Sequence, residues 1–222
     1  MWLSPVLNRV VMATVLGLFA LAPFAAVAQS PGSAPVAGVD YVEITGGEPF
    51  ATAPGKIEVV EVFGYTCIHC AHFEPLVSAW KAGLPDDVNF VPVPAPFGGY
   101  WIPYAQAFHA AQDLGLLDRT HAAMFRALHE RGSLPIANAT AAEIAGFYAG
   151  YGADPGQVDK AMASEATAAK LERARGFLRR SGVAGTPTLI VAGRYRVTAD
   201  SFQDSLDIAD ALIERERARR RR

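Results

Sequence analysis

The order of apolar and polar positions predicts two groups of strands, separated along the chain by a long helical section. Short runs rich in β-branched and aromatic residues predict strands at Tyr41–Thr45, Ile57–Phe63 and Val88–Val93. The second run is apolar on both faces, which is typical of an inner strand covered on two sides. Pro92, Pro94 and Pro96 cannot donate hydrogen bonds, so they limit the length of the third strand and favour a position at an edge or an end of the sheet.

A helix is predicted directly after the second strand. Its apolar positions recur at helical spacing and should pack on a sheet: Phe73, Leu76, Val77, Trp80 and Leu84. Pro75 lies inside this helix and is expected to kink it. The segment from Ile57 to Val93 therefore predicts a β-α-β unit.

Residues 101–181 follow a helical pattern, which includes a capping box at Thr140–Glu143 and a helix start at Asp154-Pro155. The chain then returns to strands at Thr188–Val191 and Tyr195–Val197, joined by a hairpin, before a last helix. This order predicts an α/β protein with a mixed sheet covered by helices on both sides.

The N-terminus has the features of a secretory signal. An uncharged, largely apolar run from Val10 to Ala28 follows Arg9 and ends in the A-x-A sequence Ala26-Val27-Ala28. We predict a signal peptide at residues 1–28 and a flexible leader at residues 29–40. The alternative is an uncleaved anchor, because the run is nearly long enough to span a bilayer.

Charge is unevenly distributed along the chain. Residues 29–214 carry 13 basic and 21 acidic side chains, whereas the last eight residues carry six arginines and one glutamate. The acidic body gives no indication of nucleic-acid binding. The basic tail at residues 215–222 is expected to be a frayed, solvated helix end, with weak attraction to anionic lipid as the alternative.

The two cysteines of the chain, Cys67 and Cys70, form a Cys-Ile-His-Cys motif at the start of the first predicted helix. A strand, a turn, CxxC and a helix together are the local pattern of a thiol–disulfide redox site. Lowering a thiol pKa by two units takes about 2.7 kcal/mol, whereas a helix dipole supplies about 0.3–1 kcal/mol. Hydrogen bonds from the N–H groups of His69 and Cys70, and the His69 imidazole, are expected to supply the rest.

Two other uses of the cysteine pair are open. A purely structural disulfide would close a very short loop and constrain the unfolded chain little. A zinc site would use the cysteines with His69 or His72, but the sequence has no second CxxC or HxxxH to complete four ligands. We therefore predict no metal. His109, His121 and His129 are expected to be ordinary helix residues.

Glu61 is an acid in the apolar second strand, on the face of Ile57, Val59 and Phe63. Burial there raises a carboxyl pKa, and the group would then exchange a proton with Cys70. The alternative is an exposed position at the end of the sheet. Glu58, on the opposite face, is expected to be solvated.

Three stretches resemble the DsbA family of periplasmic thiol:disulfide oxidases, within the thioredoxin superfamily: EVFGYTCIHCAHFEP, FVPVPAPFGGYW and GVAGTPTLIVAGRYRV. The resemblance covers about residues 40–214. It implies a thioredoxin-like fold with an inserted helical domain. The expected parts are a first thioredoxin-like segment at 41–98, the insertion at 99–181 and a second segment at 182–214.

The resemblance also implies the roles of individual residues. Cys67 would be the attacking cysteine and Cys70 the resolving one, with His69 stabilising the Cys67 thiolate and Glu61 as the family's buried acid. Thr186 and Pro187 would form a cis-Pro loop that receives an extended substrate. The implied partners are unfolded exported polypeptides with free thiols and a quinone-linked membrane oxidase resembling DsbB. No cofactor is implied, and we expect a monomer.

Some positions depart from the family pattern. Ile68 replaces the proline that the best-known oxidases have, Thr186 also occurs in relatives of other redox preference, and the third strand has no lysine to pair with Glu61. A reductase or isomerase, or a metal-binding module, therefore remains an alternative. Tyr65, Phe97 and Trp101 are expected either to form an apolar surface around the cysteines or to pack in the core.

Overall fold

The computed structural model describes residues 34–51 and 53–222. The predicted signal peptide and the first residues of the leader lie outside this part of the chain. Within it, no helix is both long and apolar enough to cross a membrane.

A five-stranded mixed sheet forms the centre of the molecule. The strands are β1 (Tyr41–Glu43), β2 (Ile57–Phe63), β3 (Val88–Pro94), β4 (Thr188–Val191) and β5 (Tyr195–Val197). Their order is β1-β5-β4-β2-β3, in which β2 and β3 are parallel and the other neighbours antiparallel. The proline-containing β3 lies at one edge, as predicted, and β2 is paired on both sides. β1 ends two residues earlier than the pattern indicated.

Seven helices accompany this sheet in the described residues. They are α1 (Ile68–Ala82), α2 (Trp101–Asp113), α3 (Leu117–His129), α4 (Ala141–Ala149), α5 (Pro155–Met162), α6 (Glu165–Arg180) and α7 (Phe202–Arg220). The predicted capping box closes the start of α4, and Asp154 caps α5 with Pro155 at its first position. The fold is thioredoxin-like, with helices inserted between β3 and β4.

Three apolar clusters hold these layers together. α1 and α7 cover the sheet face that carries Ile57 and Val59, whereas α6 covers the face that carries Val60 and Val62. The third cluster joins the inserted helices to the end of β2 and includes the buried Cys70. The two cysteines therefore lie where the sheet meets the inserted helices.

Two predictions about side chains on β2 and α1 were wrong. Glu58 is 3% exposed instead of solvated, because its carboxylate accepts hydrogen bonds from the backbone N–H groups of Phe50 and Ala51 at 2.7 and 2.5 Å. Leu76 is 40% exposed, whereas Phe73 and Val77 of the same predicted face are buried. The buried face of α1 is therefore narrower than the sequence indicated.

The described part of the leader makes hydrogen bonds within itself and with Thr198, which follows β5. The backbone N–H of Thr198 donates to the carbonyl of Asp40 at 2.8 Å, and the Thr198 hydroxyl donates to the carbonyl of Val39 at 2.6 Å. The Asp40 carboxylate accepts from the N–H of Val36 at 2.7 Å. These bonds extend the ordered chain on the N-terminal side of β1.

The basic tail is the end of a helix, because α7 continues to Arg220. Arg217 makes a two-pronged ion pair with Asp87, at 2.6 and 2.7 Å. Arg215 lies over the rings of Tyr41 and Tyr195. Arg215 and Arg217 therefore pack on the rest of the molecule, whereas the arginines at 219–222 are exposed.

Candidate active site: the Cys67–Cys70 dithiol

Cys67 and Cys70 occupy different environments at the start of α1. Cys67 is the N-cap residue, with an extended backbone, and is half-buried, whereas Cys70 lies in the first turn and is 0% exposed. Both are free thiols in this structure. Only Cys67 is therefore open to attack by a second molecule.

The surroundings of Cys67 favour its thiolate. A hydrogen bond from the Cys70 thiol is the largest influence, and a hydrogen bond with Thr186 and the backbone N–H groups of Cys70 and His69 add to it. Together they outweigh burial and lower the pKa of Cys67 to about 5. Burial, and then the nearby Cys67 sulfur, raise the pKa of Cys70 far above its usual range. The pair therefore consists of one stabilised thiolate and one thiol.

His69 acts on Cys67 through its backbone. Its side chain is exposed, and its N–H is the group of His69 that lowers the pKa of Cys67. The predicted contribution of the imidazole stays a prediction. The first turn of α1 supplies this N–H because the helix leaves its first amides without partners inside the helix.

Thr186 and Pro187 face Cys67 from the loop before β4. The peptide bond between them is cis, and the Thr186 carbonyl oxygen lies 3.5 Å from the Cys67 sulfur. Both residues are partly exposed. This loop thus brings backbone groups next to the accessible sulfur.

Glu61 is buried in the middle of β2, with 3% of its surface exposed. Burial, and then the negative charge of Glu74, raise the pKa of its carboxyl to about 8, against a smaller opposite effect of Lys81. The strand β3 places Pro92 beside Glu61, and the positive charge comes from Lys81 on α1. A buried acid that titrates near neutral pH can supply or accept a proton.

A network of polar side chains behind the cysteines was missed by the sequence reading. His121 of α3 contacts the Tyr65 hydroxyl through Nδ1 at 2.8 Å and the Glu74 carboxylate through Nε2 at 3.5 Å. His129 contacts the Tyr65 carbonyl through Nε2 at 2.7 Å. The sequence did contain one indication of this network. Glu74 lies four residues after Cys70, and therefore on the same side of α1.

The aromatic residues near the motif divide between core and surface. Tyr65 is 2% exposed and belongs to the core, so it is not part of an apolar surface. Phe97 is 44% exposed, as is Ile68 of the motif, and the Phe97 ring lies 5.2 Å from that of Trp101. Trp101 itself is partly buried against Gly64 and the α6 face of the sheet.

The described residues contain no group of three or more histidine, cysteine, aspartate or glutamate side chains arranged to hold a metal ion. A metal site in this part of the chain would have to use the two cysteines with no further ligand of these types. Tetrahedral zinc sites need more.

Comparisons with known proteins agree with this geometry. A family model described as "DSBA-like thioredoxin domain" matches residues 101–209. The thiol:disulfide interchange protein DsbA of Azotobacter vinelandii is 40% identical over 184 residues, which cover 82% of this chain and 84% of that protein. The protein of the same name from Pseudomonas aeruginosa is 40% identical over 185 residues and covers 82% and 86%.

A solved structure is also closely similar. The crystal structure of oxidoreductase DsbA from Xylella fastidiosa has 50% sequence identity and a TM-score of 0.82, and the match covers 83% of this chain and 99% of that one.

The thioredoxin-like sheet with a CxxC dithiol at the start of its first helix defines a protein thiol:disulfide oxidoreductase. The inserted helices, and the similarity to DsbA proteins over more than four-fifths of the chain, identify the family within this class. The chain belongs to the DsbA family.

Proposed function

We propose that this protein is a dithiol oxidase, which donates its Cys67–Cys70 disulfide to other polypeptides. The observation that carries the proposal is the lowered pKa of Cys67, about 5. A thiolate that is stable at neutral pH favours the reduced form of the protein. Because this weakens the disulfide relative to the dithiol, the oxidised protein is a strong oxidant.

The reaction proceeds by two exchanges. A client thiolate attacks the Cys67 sulfur, the Cys67–Cys70 bond breaks, and a mixed disulfide joins Cys67 to the client. A second client thiolate then attacks the client sulfur of this mixed disulfide and releases Cys67 as a thiolate. Two electrons pass from the client to the protein, and the client gains one disulfide.

The departing Cys70 sulfur needs a proton, because its buried position strongly disfavours the thiolate. We assign Glu61 to this step as the proton donor, and as the acceptor when the disulfide is formed again. Its support is a buried carboxyl with a pKa of about 8. His69 is assigned to thiolate stabilisation, through its backbone N–H and its exposed side chain.

Thr186 and Pro187 are assigned to substrate binding. Their support is the partly exposed cis-Pro loop, whose Thr186 carbonyl lies 3.5 Å from the Cys67 sulfur. An extended client segment beside this loop would have backbone groups to pair with.

The partners and compartment follow from the family. Family members act on exported polypeptides, so unfolded exported chains with free thiols are the proposed clients and a membrane oxidase resembling DsbB the proposed source of new disulfides. We place the mature protein in the periplasm, after removal of residues 1–28. Residues 41–98 and 182–214 are proposed as the oxidoreductase part and 99–181 as an inserted domain.

The reduction potential of the Cys67–Cys70 couple tests the direction of the reaction. Equilibration against reduced and oxidised glutathione should give a potential well above that of the glutathione couple. A Cys67→Ser variant should neither form the disulfide nor oxidise a client. A potential near that of thioredoxin would assign the site to a reductase instead.

A further inference from the structure

Glu61, Glu74 and His121 share one cavity beneath the active-site helix. Its volume is about 170 Å³, and it is enclosed by β2, α1, β3 and α3. The strand β3 contributes Phe90 and Pro92 to its wall. The titratable groups that face it are Glu61, Glu74, Lys81, Asp118 and His121. A cavity of this volume, with titratable side chains in its wall, has room for several water molecules.

His121 links this cavity to both ends of the active-site segment. One ring nitrogen holds the hydroxyl of Tyr65, two residues before Cys67, and the other faces Glu74, four residues after Cys70. The ring packs between the aromatic side chains of Phe63, Phe108 and Phe125. The imidazole is therefore fixed in place, although 19% of its side chain is exposed to solvent.

Glu74 is held as a carboxylate in this setting. Burial raises the pKa of Glu74, but the hydrogen bond and charge of His121, the Ser78 hydroxyl and Lys81 together outweigh it and keep the pKa below its usual range. A fixed negative charge thus lies beside the cavity. Like charges at close range disfavour ionisation of a second carboxyl, here Glu61.

We propose that Glu74 and His121 are a positioning pair that controls the protonation of Glu61, and with it the delivery of a proton to the departing Cys70 sulfur. The inference rests on the proposed function of the dithiol. His121 keeps Glu74 ionised, and Glu74 keeps the proton on Glu61. After Glu61 gives this proton to Cys70, a new proton reaches it from solvent through the cavity, past His121.

The first test is a pH titration of the side-chain carboxyls of the reduced protein by carbon NMR. Glu74→Gln removes the charge but keeps the shape, so the midpoint of Glu61 should fall by roughly one pH unit. His121→Gln should raise the midpoint of Glu74, because it removes the imidazole that lowers the pKa of this carboxyl. An unchanged Glu61 midpoint in Glu74→Gln, or an unchanged Glu74 midpoint in His121→Gln, would overturn the pair.

His129→Gln is the matched control for these variants. His129 lies on the same helix and also contacts Tyr65, but it is not part of the cavity wall. Its replacement should leave the Glu61 midpoint where it is. If His129→Gln shifts the Glu61 midpoint as much as Glu74→Gln does, the cause is a general loosening of α3 and not the charge of Glu74. This result would also overturn the proposal.

The second test measures how the rate of oxidation of a dithiol peptide depends on pH. The inflection due to Glu61 should be absent in Glu61→Gln and should move to lower pH in Glu74→Gln, and the double variant should behave like Glu61→Gln. If the native protein oxidises the peptide and Glu74→Gln has the native profile, the positioning pair is wrong. If the native protein does not oxidise the peptide, the proposed function itself is wrong.

Discussion

At the scale of single residues, the chemistry of the site depends on unequal environments for like groups. Cys67 and Cys70 are three positions apart, yet one pKa is lowered to about 5 and the other is raised. The CxxC spacing at the start of a predicted helix indicated that the pKa of Cys67 would be lowered. The sequence could not show that the largest influence is the Cys70 thiol itself, because this depends on the direction of one S–H bond.

Removing the Cys70 thiol should therefore raise the pKa of Cys67. A hydrogen bond to a charged group contributes about 1.5–3 kcal/mol, so Cys70→Ala is expected to raise it by roughly one to two units. Cys70→Ser keeps a donor and should give a smaller rise. Ultraviolet absorbance of the thiolate during a pH titration measures both, and an Ala variant that still titrates near 5 would contradict the assignment.

Glu61→Gln should change how stability depends on pH. Below pH 4.5 the folded and unfolded chains both hold the Glu61 proton, whereas between about 4.5 and 8 only the folded chain holds it. Native stability relative to the variant should therefore fall as pH rises through this range and level off above 8, by roughly 3–5 kcal/mol in total. Urea unfolding at several pH values measures the difference, and parallel curves would refute the raised pKa.

At the scale of elements, local patterns located the strands and helices correctly but not their polar contacts. The bounds of β2, β4 and β5 agree with the periodicity, because each run is short, apolar and ends at a turn. Glu58 was misjudged since its partners belong to a loop without regular pattern. The contact of Tyr65 with His121 joins residues 56 positions apart, and no local pattern records such a distance.

The turn between β2 and α1 depends on close contact with α2. A Cβ atom at Gly64 would lie 2.1 Å from the Trp101 ring, so the ring would have to move. Gly64→Ala should destabilise the fold by about 1–3 kcal/mol and alter tryptophan fluorescence. Gly146→Ala is the control, since nothing lies within 4 Å of its Cβ position in α4, and it should be neutral or stabilising. Equal stability of the two variants would argue against the close contact.

At the scale of the whole molecule, α7 ties the C-terminal part of the chain to the sheet through β5. The buried carboxylate of Glu216 accepts from the Tyr195 hydroxyl at 3.0 Å and pairs with Arg219 at 2.9 Å. The sequence showed an arginine-rich tail but not its acceptors. Those of Arg215 lie on β1, and that of Arg217 is Asp87 in the loop before β3. A run of charges alone does not indicate that Arg215 and Arg217 contact other parts of the chain, whereas the exposed arginines at 219–222 fit the predicted solvated end.

Glu216→Ala should destabilise the protein by about 1–3 kcal/mol, because the variant loses the acceptor for Tyr195 and the partner of Arg219. Glu216→Gln keeps an acceptor for Tyr195 and should cost less. Urea unfolding monitored by circular dichroism gives both values. If alanine is tolerated without loss, the end of α7 adds nothing to stability.

The burial of Cys70 limits the number of client polypeptides that can be bound covalently to one molecule of the protein. Since a single sulfur is reachable, each protein molecule can carry one client at a time, and every client is joined to it through the same atom. In a Cys70→Ala variant, Cys67 can first be converted to a mixed disulfide with oxidised glutathione. A client thiolate then displaces glutathione from the Cys67 sulfur, and without Cys70 the client adduct has no internal route of escape. The trapped species should have a one-to-one stoichiometry, so that mass spectrometry of the adducts would give an inventory of the clients.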